Sequence, residues 1–209
     1  MITLEGPEGG GKTTQAARLA EELRSEGREV VSVREPGGTA TGERIREILL
    51  APEAAMVPQT EALLFCAARA ELIAQVVRPA LHRAALVLCD RFYDATLAYQ
   101  GHGWGVPLDE LAAVIHFATG GLRPDLTILL DLPVDTGLAR RRQHPASWNR
   151  LDGAGSDFHR RVRAGYLDLA RREPDRWCVI DAGAGPDEVA AAVAAAVKRA
   201  LGPAGQPRG

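Results

Sequence analysis

The chain has 209 residues, of which 46% are hydrophobic and 25% charged, and its formal net charge is −2. This length and composition suit one globular domain and exclude wholesale disorder and fibrous repeats. The small net charge gives no general reason to bind nucleic acid or an anionic membrane. No apolar run approaches the roughly 20 residues of a membrane span, and the amino terminus does not resemble a secretion signal. We therefore expect neither nucleic acid nor a membrane as a partner.

Two residue types are distributed in an informative way. The three cysteines, Cys66, Cys89 and Cys178, are odd in number and widely spaced, which is typical of buried thiols in a reducing compartment rather than of a disulfide or a zinc site. Lysine occurs only at Lys12 and Lys198, and every other basic residue is arginine. Lys12 is therefore conspicuous.

Five short β-type runs alternate with helical segments along the chain. The predicted strands are Ile2–Glu5, Glu29–Val33, Ala85–Cys89, Leu126–Leu130 and Trp177–Ile180. The predicted helices are Thr13–Ser25, Glu43–Leu50, Gln59–Leu81, Leu108–Ala118, Thr136–Arg142, Asp157–Arg172 and Pro186–Leu201. Strands that are separated by helices pair in parallel through right-handed crossovers. The order predicts a three-layer α/β/α fold with a doubly wound parallel sheet of about five strands.

Residues 1–201 form the predicted domain. An insert at about 142–155 carries Pro, Ser, Asn and Gly, and we predict that it is a mobile lid. The Gly- and Pro-rich residues 202–209 are predicted to be a flexible tail. Ligands of parallel sheets bind beyond the carboxyl ends of the strands, where the sequence places Gly6, Arg34, Asp90 and Asp131.

The strongest motif is the glycine-rich run at residues 6–13, which fits the phosphate-loop pattern of Gly, four residues, and Gly-Lys-Ser/Thr. Its backbone N–H groups can surround a polyphosphate, and the helix that follows adds its positive end. Lys12 would bridge the β- and γ-phosphates of a nucleotide, and Thr13 would ligate Mg²⁺. The alternative is a turn that only starts a helix. The predicted ATP-binding residues are Gly6, Pro7, Glu8, Gly9, Gly10, Gly11, Lys12, Thr13 and Thr14.

Two aspartates end apolar strands and are candidates for a metal site. Asp90 is the natural partner of Mg²⁺ beside Thr13, although it could also cap the helical segment that follows. Asp131 is the weaker candidate, because Pro133 and Asp135 indicate that it could serve only to organise a helix start.

The arginines point to a second phosphorylated ligand. Arg46 and Arg91 could reach one acceptor phosphate near the strand ends. Arg140, Arg141 and Arg150 flank the predicted lid, and the first two are predicted to bind ATP. The alternative for each is an exposed, solvated side chain.

Five segments of the chain resemble thymidylate kinases in order and spacing. They are residues 6–14, 34–39, 63–69, 90–101 and 149–152. The phosphate loop is shared by many NTPases, whereas Arg-Glu-Pro-Gly-Gly-Thr at 34–39 and the run from Asp-Arg-Phe to Tyr-Gln-Gly at 90–101 are specific together. The resemblance implies transfer of the ATP γ-phosphate to dTMP to give dTDP, with Mg²⁺ as cofactor. It also implies a cytoplasmic homodimer.

The resemblance implies roles for individual residues in binding dTMP. It places thymine on Phe65, the pyrimidine edge at Arg69 and Gln100, and the acceptor phosphate on Arg46 and Arg91. Near the acceptor it places the acidic residues Glu8 and Glu35, and Thr96 keeps a hydroxyl where the family usually has Ser. The chain departs from the family at Ala68, Leu72 and Phe92, where Asp, His and Tyr are common.

Arginine chemistry supports the assignment of the base. Thymine presents an oxygen acceptor at the position where cytosine presents an amino donor. Arg69 has only donors, so it would favour thymine and oppose cytosine. Without the resemblance, Phe65 could equally be a core aromatic residue.

The source of the transition-state arginine is the last inference from the sequence. Some members of the family carry an arginine inside the phosphate loop, where this chain has glycine. The lid must then supply it, and Arg150 is the best candidate because Asp152 could orient it. The alternative is a surface pair between Arg150 and Asp152. The predicted catalytic residues are Glu8, Lys12, Arg91 and Arg150.

Other classes of protein fit less well. Other phosphate-loop kinases, for nucleosides, adenylate or sugar acids, would lack the segments at 34–39 and 90–101. A nucleotide-binding switch without enzymatic activity would lack paired arginines at an acceptor site.

Overall fold

A computed structural model describes residues 1–51, 53–143 and 148–202. Within them five strands form one sheet: β1 Ile2–Glu5, β2 Val30–Arg34, β3 Leu86–Asp90, β4 Leu126–Asp131 and β5 Trp177–Asp181. Their order is β2-β3-β1-β4-β5, and every neighbouring pair is parallel. The predicted doubly wound parallel sheet is confirmed. Positions 144–147 of the predicted lid and 203–209 of the predicted tail lie outside the described residues.

The helices follow the strands in the expected alternation. They are α1 Lys12–Ser25, α2 Ala40–Leu50, α3 Pro58–Leu72, α4 Arg78–His82, α5 Tyr93–Thr96, α6 Leu108–Thr119, α7 Val134–Arg142, α8 Ser156–Arg172 and α9 Pro186–Leu201. The start of α2 lies earlier than predicted because Thr39 caps it, its hydroxyl accepting the N–H of Gly42 at 2.9 Å. None of the described helices is long and apolar enough to cross a membrane.

Two wider, π-helical turns were not predicted. The segment expected as one helix over Gln59–Leu81 is α3, a π turn at Ile73–Val77, and α4. Pro79 cannot donate a hydrogen bond to the preceding turn, and the wider turn stands directly before it. The second π turn, Leu97–Gly103, continues α5 and carries Tyr99 and Gln100. Such turns are frequent at functional sites.

Helices cover both faces of the sheet. The side chains of β1 and β4 alternate between the two faces, as the pleat requires. Ile2 and Ile128 point into one apolar cluster with residues of α1 and α9. Leu129 points to the other face, where α8 contributes Tyr166 and Leu169. Residues of α3 and α6 form a further cluster with β3. The predicted three-layer arrangement is therefore confirmed.

Close packing fixes the position of the phosphate loop. A Cβ atom on Gly9 would lie 2.3 Å from the carbonyl oxygen of Gly137 in α7, and one on Gly137 would lie 2.2 Å from that of Glu8. Gly6 has φ 142°, and a Cβ there would lie 2.4 Å from the Leu130 oxygen. Only glycine fits contacts this short, so the loop rests directly on β4 and α7. This places it at the carboxyl end of the central strand β1.

Candidate active site

A cavity of about 650 Å³ opens beyond the carboxyl ends of β1, β2 and β3. The phosphate loop forms one wall, and segments from across the chain form the others. Every predicted dTMP-binding residue except Arg69 lines it: Glu35, Arg46, Phe65, Arg91, Thr96 and Gln100. The sequence-predicted loop residues and acceptor residues therefore share one cavity.

The phosphate loop holds its lysine inward. Lys12 Nζ donates to the carbonyl oxygens of Gly6 at 3.0 Å and Pro7 at 2.8 Å. Burial, together with the charge of Arg91, lowers the pKa of Lys12 to about 8, although Glu8 and Asp90 oppose the shift. A phosphate group would compete with the two carbonyl oxygens for this ammonium group.

Thr13 and Asp90 form the oxygen pair predicted for a metal. The Thr13 hydroxyl donates to Asp90 Oδ2 at 2.5 Å. Among the described residues no group of three or more His, Cys, Asp or Glu side chains could hold a metal ion. Mg²⁺ binds through one or two protein oxygens and completes its shell with phosphate and water, so this pair fits it.

Asp131 does not join that pair. Its two carboxylate oxygens accept hydrogen bonds from Arg163 on α8, at 2.7 and 2.8 Å. The weaker of the two metal hypotheses drawn from the sequence is therefore wrong, because a bidentate guanidinium occupies the carboxylate.

Arg91 makes several hydrogen bonds within the cavity. Its Nη2 donates to Glu8 Oε1 at 2.7 Å and to the Tyr99 hydroxyl at 3.1 Å. Its Nη1 donates to the Gly6 carbonyl and to the Tyr166 hydroxyl, both at 3.3 Å. The backbone of Arg91 has φ 69°, a strained conformation for a residue with a side chain. Four hydrogen bonds of this side chain to the surrounding segments thus define where a charged ligand would meet the loop.

Two glutamates near Arg91, the half-buried Glu8 and the buried Glu5, have opposite pKa shifts. Burial alone would raise the pKa of Glu8, but Arg91 and Lys12 lower it to about 2. Burial and the charge of Asp94 raise the pKa of Glu5 to about 8, against the opposing effect of Arg91. Glu5 accepts hydrogen bonds from the Phe92 N–H at 2.6 Å and the Tyr166 hydroxyl at 2.9 Å.

Arg69 lies behind the cavity wall instead of in it. Its guanidinium donates to Glu35, to the Phe92 carbonyl and to the Thr96 hydroxyl, and it is 1% exposed. Among the described residues, Nη1 has only the Cys66 sulfur as a hydrogen-bond partner, at 3.7 Å. Burial raises the pKa of Glu35 despite its ion pair with Arg69, and its Oε1 has no hydrogen-bond partner in the described residues. Arg69 thus supports two lining residues from behind.

The contacts of the lid arginines differ from those predicted from the sequence. Arg141 lines the cavity and donates to both oxygens of Asp152, at 2.9 and 2.5 Å. Arg140 donates to the carbonyl oxygens of Gly9 at 3.4 Å and Ala182 at 3.0 Å. Arg150 itself is not among the described residues that line the cavity, and its described side-chain hydrogen bonds do not go to Asp152.

Arg150 instead donates to the Leu49 carbonyl at 3.3 Å and to the carboxylate of Glu61. The predicted pairing of Arg150 with Asp152 is wrong. A 3₁₀ turn at Arg150–Gly153 folds Asp152 back onto its own amino end, where it also accepts the Asn149 N–H at 2.9 Å. That position faces Arg141 of α7.

Several residues of the site were missed by the sequence analysis. Tyr99 and Tyr166 hold Arg91, and Glu5 holds Tyr166. Glu61 is 1% exposed and accepts hydrogen bonds from Gln100, Trp104 and Arg150. In the sequence, Glu5 stands out as an acidic residue at the end of an apolar strand, and Glu61 as one in an apolar helix.

Comparison with known proteins decides the family. A family model described as thymidylate kinase matches residues 4–193. The chain belongs to the thymidylate kinase family. A thymidylate kinase of Thermomicrobium roseum is 56% identical over 201 residues, which cover 96% of this chain and 95% of the relative. One of Deinococcus radiodurans is 52% identical over 199 residues, covering 94% and 95%.

A solved structure supports the same family. The crystal structure of thymidylate kinase from Ehrlichia chaffeensis superposes with a TM-score of 0.77 at 33% identity. The match covers 94% of this chain and 97% of that one. The resemblance found in the sequence is therefore confirmed over nearly the whole length of the chain.

The raised pKa of Glu5 predicts a pH dependence of stability. Between its ordinary value of 4.5 and about 8, the folded state keeps a proton that the unfolded state has lost, so stability falls as pH rises through that window. Glu5→Gln removes this slope. Relative to wild type, the variant should gain unfolding free energy from about pH 5 to pH 9, as measured by chemical denaturation.

The control is Glu29→Gln, since Glu29 is a solvent-exposed partner of Arg83. Its stability profile should run parallel to that of wild type. A parallel profile for Glu5→Gln as well would contradict the raised pKa.

Proposed function

We propose that the chain transfers the γ-phosphoryl group of ATP to dTMP and gives dTDP. One observation carries the proposal: the phosphate loop and the paired arginines Arg46 and Arg91 line the same cavity as Phe65 and Gln100. A donor phosphate on the loop would thereby face an acceptor nucleotide on the opposite wall. Membership of the thymidylate kinase family supports the same reaction.

The loop would bind the donor. Backbone N–H groups of residues 6–14 and the start of α1 would hold the phosphates of ATP, with Arg140 and Arg141 approaching from the lid side. Lys12 would leave the carbonyl groups of its own loop for the transferring phosphoryl group and stabilise the charge that develops there. Thr13 and Asp90 would hold Mg²⁺, which when bound neutralises phosphate charge.

The opposite wall would bind the acceptor. Phe65 offers a face to thymine, and Thr96 and Gln100 offer polar groups to its edge. Arg46 and Arg91 would hold the 5′-phosphate, with Glu8 and Glu35 near the sugar and phosphate. Arg69 would bind the edge of the base from its position behind Thr96. Its Nη1 would be the donor, because its contact with the Cys66 sulfur is long and weak.

The coarser features of the protein are also part of the proposal. We propose one kinase domain over residues 1–201, a lid at about 142–155 and a tail at 202–209. Exposed apolar side chains on neighbouring helices, Leu63 of α3 and Phe117 of α6, support a homodimer. The three cysteines are free thiols, as expected of a cytoplasmic protein. Neither nucleic acid nor a membrane is proposed as a partner.

The two lysines provide the sharpest test of the phosphate loop. Lys12→Ala should lower kcat by about 10²–10³-fold, because it removes a charge aimed at the transferring group. Lys198→Ala, at an exposed pair with Glu22, should leave kcat unchanged. Near-normal turnover in a folded Lys12→Ala variant would exclude the loop from catalysis.

A coupled ATPase assay tests which acceptor the protein uses. With dTMP, dUMP, dCMP, AMP and thymidine offered in turn, turnover should be highest with dTMP and absent with thymidine, which lacks the acceptor phosphate. A preference for AMP or thymidine would contradict the proposed reaction.

Arg141 is the lid arginine that we expect to stabilise the transition state most. It lines the cavity, and its charge acts on Glu8 of the loop. Arg141→Ala should lower kcat by at least ~10²-fold with the KM for dTMP nearly unchanged. Its exposed neighbour supplies the matched control, Arg142→Ala.

The Arg150→Ala variant completes that comparison. To stabilise the transition state, as predicted from the sequence, Arg150 would have to leave Glu61. A wild-type kcat in Arg150→Ala would therefore assign that role to Arg141. A wild-type kcat in Arg141→Ala would refute our preference.

A further inference from the structure

Glu61 joins three segments that meet behind the cavity. It lies in the first turn of α3 and is 1% exposed. Its Oε1 accepts hydrogen bonds from the amide of Gln100, in the π turn, and from the Trp104 indole at 3.1 Å. Its Oε2 accepts from Arg150. Each of these three described partners donates, so both oxygens of Glu61 act as acceptors.

This arrangement fixes which way the Gln100 amide points. A carboxylate can only accept hydrogen bonds, so the nitrogen of the amide must face Glu61. The oxygen then points away from Glu61, and it has no hydrogen-bond partner among the residues described. Gln100 lines the cavity, so this oxygen is the group that it can offer to a ligand.

The position of Glu61 relates this oxygen to the proposed base site. Phe65 follows Glu61 by one helical turn, so the two side chains share a face of α3. Phe65 and Gln100 line the same cavity. A pyrimidine lying on Phe65 would therefore present its edge to an amide that Glu61 orients.

We propose that Glu61 is a positioning residue for base selection: it turns the Gln100 amide so that its oxygen accepts the N3–H of thymine. This inference rests on the proposed placement of dTMP. Thymine has a donor at N3, whereas cytosine has an acceptor there, so a fixed oxygen favours the first and repels the second. Free rotation of the amide would remove this discrimination, since its NH₂ group could then meet cytosine.

The second oxygen of Glu61 extends the arrangement to the lid side. Arg150 directly follows Asn149, which lines the cavity. A single buried carboxylate therefore restrains both the base-reading amide and the segment that closes the far wall.

The test compares two substitutions of Glu61. Glu61→Met leaves Gln100 without its acceptor, and the ratio of kcat/KM for dTMP to that for dCMP should fall by at least about 10-fold, with the KM for ATP unchanged. The matched control is Glu61→Gln/Arg150→Met, which should keep a ratio close to that of wild type. With the donor-only guanidinium removed, the carbonyl of the new amide can accept from Gln100 and Trp104.

A merely structural role of Glu61 would give a different pattern of kcat/KM ratios. If Glu61 served only to hold Arg150, neither variant would change the ratio. Trp104→Phe, which removes the other donor to the same oxygen, should leave the ratio unchanged. A wild-type ratio in Glu61→Met overturns the proposal.

Two further variants keep the test decisive. If Glu61→Met does not fold, Glu61→Met/Arg150→Met removes both charges of the buried pair, and binding of dTMP and dCMP without ATP is measured by titration calorimetry. The preference for dTMP should again fall, and an unchanged preference overturns the proposal. Gln100→Met tests the placement of the base separately from the role of Glu61. An unchanged ratio in this variant refutes the placement of the base beside Gln100.

Discussion

The hydrogen bonding of the half-buried Arg91 guanidinium is the interaction on which the rest of the site depends. It joins the phosphate loop through Glu8 and Gly6 to the π turn through Tyr99 and to α8 through Tyr166. A buried charge is tolerated only when its hydrogen bonds are met, so these segments must converge on it. The strained backbone at Arg91 is maintained by that convergence. The same contacts that complete the fold thereby place a positive charge beside the loop.

The electrostatics of the site follow from where each carboxyl lies relative to this cation. Glu8 touches Arg91 directly and also lies near Lys12, so its pKa falls to about 2 and it stays ionised. Glu5 is one layer deeper, where burial outweighs the attraction of Arg91 and its pKa rises to about 8. One carboxyl therefore balances the cations of the loop, and the other adds little charge near neutrality while it orders Tyr166 and the Phe92 backbone. The net effect leaves the cavity favourable to anionic ligands.

Much of the fold and of the cavity could be predicted from sequence because the relevant signals are local. Apolar runs that end at Asp90 and at residue 131, and glycines around Lys12, reflect backbone requirements that neighbouring residues meet. The partners of the charged side chains, in contrast, depend on contacts between segments distant in sequence. Arg141 takes Asp152 because a 3₁₀ turn redirects that carboxylate, and Arg163 takes Asp131 because α8 crosses the end of β4. No spacing along the chain encodes such pairs.

Glu61 and Glu5 were missed for the same reason, and the burial of Arg69 was not foreseen. All three are charged, and charged residues are mostly exposed. Their burial depends on partners distant in sequence, so it becomes visible only once α3, α8 and the π turn are in place. The roles of the cavity residues in binding and catalysis remain predictions. Arg69, Glu61 and Glu5 support the side chains to which those roles are assigned.

The central claim is that one cavity around Arg91 takes both nucleotides with their phosphates end to end. The most direct measurement is calorimetric titration with adenosine and thymidine joined by five phosphates. The account predicts one bound molecule per chain, an affinity at least about 10²-fold above that of ATP or dTMP alone, and no binding of either nucleotide once the linked compound is bound. Binding no tighter than that of a single nucleotide, or uptake of dTMP by the saturated protein, would contradict it.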